Sequence, residues 1–177
     1  MDNWPIDRTD VIRELQQWCY TTATMHARVV ENYSTSRTRG DMFLFAMAVR
    51  QVLRFADLAL TIADSDAAVP LKEAIDKFAE TSPDAKGVRD VIDHFDDYLK
   101  GAGLAYRAGD PSEYVGMVAS VNKPTNMWIQ ASDGVFRLHI NPSPGEHVVL
   151  DIARETASAL ALADAAIAAL SDGPASR

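Results

Sequence analysis

SPDAKGVRDVIDHFDDYLKG, residues Ser82 to Gly101, is marked as a helix at both ends. Ser82 is a favoured N-cap, Pro83 suits the first helical position, Asp84 complements the positive N-terminus, and Gly101 is a natural stop. Between them Val88, Val91, Ile92, Phe95 and Leu99 recur at helical spacing and form an apolar stripe. Arg89, Asp90, Asp93, His94 and Asp97 occupy the other side. At about 100° per residue, Arg89 and His94 lie roughly 140° apart at the margins of that polar face, with Asp90 and Asp97 between them.

The segments before this stretch are helical by the same criterion. From about Thr9 to Tyr33, Val11, Ile12, Leu15, Trp18, Cys19, Met25, Val29 and Val30 recur every three or four residues. Residues 34–40 break the pattern, and Asp41 can cap a second helix to about Ala63 with so little polar surface that a central place in a bundle is expected. A short third helix is predicted from about Pro70 to Glu80. After a loop at 101–111 the period becomes alternating, giving three short strands at about 113–121, 126–131 and 135–140. Asn122-Lys-Pro-Thr125 and Ser132-Asp-Gly134 supply their turns. On the last strand Phe136, Leu138 and Ile140 point one way and Val135, Arg137 and His139 the other. Ser143-Pro-Gly-Glu146 reads as a capping box opening an Ala-rich helix to about Leu170.

The expected fold is therefore mainly α: a four- to five-helix bundle over 9–100, a small three-stranded antiparallel meander over 113–140 and a C-terminal helix over 144–170. A chain of 177 residues with 47% hydrophobic content suits one domain with one buried core. Its net charge of −8 sets a field that repels nucleic-acid phosphates unless basic groups gather locally, so DNA is not expected as a partner. The acidity is concentrated: residues 61–115 carry six basic and twelve acidic side chains. One cysteine, Cys19, excludes an internal disulfide and fits a reducing compartment. The polar N-terminus and the lack of a long apolar run point to a cytoplasmic protein without a membrane partner.

Arg89-Asp-Val-Ile-Asp-His94 has the form Arg, polar residue, three residues, His. Here the sequence resembles the HEPN family of all-helical proteins, whose signature is an Arg followed by Asn, Asp or His, with a His a few residues on in the same helix. The resemblance implies a homodimer in which two motif helices form a shared cleft, and metal-independent cleavage of RNA. It assigns Arg89 to stabilising charge on the scissile phosphate, His94 to proton transfer during attack by the ribose 2′-hydroxyl, and Asp90 to orienting them. Asp93, Asp96 and Asp97 depart from a surface made for RNA, and Asp96 stands where one branch of the family has Tyr. The same residues also suit a solvated face, with Arg89 paired to Asp93 and His94 to Asp97 or Asp90. Two functions are carried forward: a HEPN-like endoribonuclease, and a non-catalytic dimeric bundle that uses this face to bind a protein partner or small ligand.

Other residues carry less. His26, His94, His139 and His147 lack metal-ligand spacing, so no metal or cofactor is expected. Trp128 beside Arg137 and His139 could stack a base or seal an interface. Arg28, Arg37, Arg39, Arg50 and Arg54 form the best basic patch. Cys19, on an apolar face, is not a promising nucleophile. The Ala-rich last helix permits close approach of another helix, as core or as dimer seam.

Overall fold

The computed structural model describes residues 7–33, 38–85, 118–120, 123–125, 127–140 and 148–171. Within them the protein is mainly helical, with a three-stranded antiparallel sheet before the last helix.

Two 25-residue helices, α1 (Arg8–Asn32) and α2 (Thr38–Ile62), form the frame. Asp7 caps α1, its Oδ1 accepting from the Thr9 N–H at 2.8 Å. Ion pairs at both ends hold the two helices antiparallel. Arg28 near the end of α1 reaches Asp41 in the first turn of α2 at 2.9 Å. At the opposite end Arg8 donates to Asp64 Oδ1 and to the Ile62 carbonyl, each at 3.0 Å, placing a cation on the negative end of α2. Asp41 is thus no cap: α2 starts three residues earlier, and the carboxylate is drawn inward by Arg28. As the sequence predicts, α2 buries much of its circumference, through Met42, Phe45, Ala46, Val49, Val52, Leu53, Ala56 and Ala59.

The third helix, α3 (Ser65–Thr81), begins five residues before the predicted start and carries Pro70 inside it. A proline there removes one helical hydrogen bond, to the Asp66 carbonyl. Both residues are exposed, so water can take that acceptor. Asp64 provides the helix start through its backbone, its carbonyl accepting from Ala67 and Ala68, while its side chain goes to Arg8. After α3 the chain passes through the buried Ser82 into a 3-10 turn, Pro83–Ala85. The predicted continuation to Lys100 lies outside the described residues.

The strands differ from prediction in a consistent way. β1 (Val118–Ser120) and β2 (Lys123–Thr125) pair with each other as a separate two-stranded ladder, so part of the expected turn is itself strand. Pro124 is tolerated because a two-stranded ribbon has free edges. The three-stranded sheet consists of β3 (Met127–Ser132), β4 (Val135–Ile140) and β5 (Val148–Asp151), with β4 central. Asp133 (φ 51°) and Gly134 (φ 76°) make the two-residue turn between β3 and β4, both in the left-handed region that a twisted hairpin requires.

The last helix, α4 (Ile152–Ser171), follows β5 directly, eight residues later than the expected start at 144. Val148 and Val149 are β-branched and join the sheet, and Asp151 is the true cap, its Oδ1 accepting from the Arg154 N–H at 3.0 Å. The predicted capping box at 143–146 lies outside the described residues. α4 packs against α1, α2 and α3 at once through Ile152, Ala159, Leu162, Ala163, Ala166 and Leu170. Its alanines let the helices approach closely. Leu138 and Leu150, paired across β4 and β5, are fully buried beneath α4. Tyr33, just past α1, meets Phe136 edge-on at 5.3 Å and ties the bundle to the sheet.

Candidate functional site

Arg89, Asp90 and His94, the three residues singled out by the sequence motif, lie outside the described residues. The last described residue before them, Ala85, is 3% exposed, and its N–H donates to the Ser82 carbonyl at 3.0 Å. The chain therefore enters the motif segment from an anchor packed in the core, at the end of the bundle beside the sheet.

That end is polar inside. Thr156, in the first turns of α4, donates its hydroxyl to the Ile152 carbonyl at 2.7 Å and lies 3.0 Å from His26 Nδ1. Because the hydroxyl proton is already committed, the oxygen accepts from a His26 Nδ1–H, which fixes the tautomer of the neutral ring. The neighbouring Glu155 is fully buried. Its Oε1 accepts from Arg154 Nη2 at 2.9 Å and Nε at 3.2 Å, while Oε2 has no partner among the described residues. Asp41 repeats the pattern, with Oδ1 on Arg28 and Oδ2 unpaired among the described residues. Both acids are half-satisfied structural groups, each held by an arginine that reaches in from the surface. Sequence reasoning missed them, although Glu155 falls three residues after Ile152 on the buried stripe of α4, a spacing that marks it as inward-facing.

The other candidates are dispersed. His139 Nε2 bonds Gln130 Oε1 at 3.0 Å on the sheet, whereas His26 on α1 is engaged with Thr156 of α4. Among the described residues no three His, Cys, Asp or Glu side chains are placed to hold a metal ion. The register sets Trp128 across from His139 and Gln130 across from Arg137, the alternation expected from sequence. Of the basic patch, Arg28 is engaged by Asp41, Arg54 is exposed and Arg50 half-buried, while Arg37 lies outside the described residues. Burial, with the nearby Asp164 carboxylate adding to it, pushes the Cys19 thiol up to about 11, so it is a protonated, unreactive group near neutral pH.

One concave feature was invisible in the sequence. Along the exposed side of the packed α3–α4 pair runs an open groove of about 350 Å³ lined by Ala74, Lys77, Phe78, Thr81, Ala157, Ser158, Ala161 and Leu162. It exists because small side chains face each other across the two helices and leave the space between them unfilled. Among the described residues no helix is long and apolar enough to cross a membrane. No family model, no curated protein and no solved structure matches the chain.

Proposed function

We propose that the chain is a HEPN-like, metal-independent endoribonuclease acting as a homodimer in the cytoplasm, with Arg89 and His94 as the reacting pair and Asp90 beside them. The observation that carries this reading is the Arg89-Asp-x3-His94 spacing on one amphipathic stretch. A mainly helical bundle is the architecture that the resemblance calls for.

In this reading His94 takes the proton from a ribose 2′-hydroxyl as its oxygen attacks the adjacent phosphorus. The O2′–P bond forms, the P–O5′ bond breaks, and a proton is delivered to the departing 5′-oxygen. The products are a 2′,3′-cyclic phosphate and a 5′-hydroxyl. Arg89 neutralises the charge that builds on the non-bridging oxygens. Asp90, next to Arg89 in the chain, orients the pair.

The test is cleavage of a panel of single-stranded and structured RNAs in EDTA, comparing wild type with Arg89→Ala and His94→Ala after all three are shown to fold and associate alike. Cyclic phosphate ends from wild type and loss of cutting in both variants support the reading. Equal cutting by all three, or none by any, removes it.

A further inference from the structure

We infer that the groove between α3 and α4 is a binding site for a small amphipathic monocarboxylate, its apolar body along Ala74, Ala157 and Ala161 and its head group on Lys77. The inference does not rest on the nuclease reading.

The groove has the size of a ligand pocket, at about 350 Å³. A groove of this order accommodates a ligand of about a dozen non-hydrogen atoms, such as decanoate, with one side left facing solvent. Its floor and walls are mainly apolar: Ala74, Phe78, Ala157, Ala161 and Leu162. Phe78 and Leu162 are buried, so the floor belongs to the core, and the apolar surface open to a ligand comes mainly from Ala74, Ala157 and Ala161.

The polar groups are few and of one kind. Lys77 supplies the only formal charge in the lining. The two lysines of α3 differ: Lys72 is tied to Asp76 one turn on, whereas Lys77 makes no ion pair with another described residue, although Glu73 stands one turn before it. The Thr81 hydroxyl donates to the Lys77 carbonyl at 2.8 Å, which commits its proton, and Ser158 adds a hydroxyl able to donate. A single cation with one hydroxyl donor above an apolar floor complements a singly charged anionic head on an unbranched chain. A cationic head would meet Lys77, and a dianion would lack a second positive group.

The experiment is an amide NMR titration of the full chain with decanoate, and with decylammonium as a cation of the same chain length. Saturable shifts are expected at Ala74, Phe78, Ala157 and Ala161, with a Kd on the order of 1 mM for a ligand of this size. Lys77→Gln should weaken binding about five- to tenfold, and Lys72→Gln should leave it unchanged. Ala161→Phe, at an exposed position where added bulk does not strain the core, should fill the groove and abolish binding. Absence of saturable shifts, equal binding of decylammonium, unchanged affinity in Lys77→Gln, or unchanged affinity in a folded Ala161→Phe would each overturn the assignment.

Discussion

The middle of the bundle and its sheet-side end are built on opposite principles. In the middle, Leu15, Phe45, Val49, Val52, Ala163 and Ala166 interlock, and the buried polar groups are two: Thr22, whose hydroxyl donates to the Trp18 carbonyl, and the Trp18 indole N–H, unpaired among the described residues. At the sheet-side end α1 and α3 finish and α2 and α4 begin, and four of the five buried polar residues among the described residues lie there: Asp41, Ser82, Glu155 and Thr156. Three of these leave an atom unpaired among the described residues, Asp41 Oδ2, Ser82 Oγ and Glu155 Oε2. Each such atom costs about 1–3 kcal/mol in lost hydration. The apolar middle therefore supplies the stability that the polar end draws upon, and it is from the polar end, at Ala85, that the chain runs on into the motif segment.

Substitutions that act on one region and spare the other sharpen this contrast. Phe45→Ala, at a fully buried site in the middle, should cost about 3–5 kcal/mol in chemical denaturation. A loss below about 1 kcal/mol would mean that the middle is loosely packed and the contrast is false. Arg28→Ala at the polar end should cost about 1–3 kcal/mol, since it strands the buried Asp41 carboxylate while removing an arginine that is itself half-exposed. Removing Asp41 as well should restore part of that loss, because the penalty comes from the unpaired charge. Asp151→Ala should cost about 1 kcal/mol through loss of the α4 cap, read as a lower thermal midpoint. Arg13→Ala breaks only an exposed pair with Asp10 and should change stability by less than about 0.5 kcal/mol.

Cys19 offers a probe of the packing between α1 and α4. With its thiol raised from 9.0 to about 11, both folded and unfolded chains keep the proton below pH 9, and only the folded chain keeps it between about pH 9 and 11. Stability should therefore fall as pH rises through that window. Alkylation at pH 8 should be at least about tenfold slower in the folded chain than in denaturant. Equal alkylation rates would show that the face of α1 carrying Cys19 is open to water.

The bundle was legible in the sequence wherever one force dominated. α1 and α2 follow from apolar periodicity, and the β3–β4 hairpin from Asp133-Gly134, whose positive φ values the turn demands. Misreadings came where two forces compete over a few residues. Val148-Val-Leu-Asp151 is apolar enough to open the following alanine helix, and only the β-branched pair and the capping Asp151 mark it as strand then helix. Asp41 has the chemistry of a cap, but a cation across the helix pair claims it. Pro70 reads as a helix start because its cost inside a helix is visible in sequence, and the water that relieves an exposed carbonyl is not. As for the site, the α3–α4 groove depends on which small residues meet across two helices 80 positions apart, a tertiary fact that no local pattern encodes. Arg89, Asp90 and His94 rest on the motif alone.

A ribonuclease active site at the motif residues would set the rate at which RNA acquires 2′,3′-cyclic phosphate ends in EDTA, to be measured for wild type, His94→Ala and Ala161→Phe. A loss of at least about 100-fold is expected for His94→Ala and an unchanged rate for Ala161→Phe, whose substitution lies in the groove. Equal rates for wild type and a folded His94→Ala would contradict that assignment.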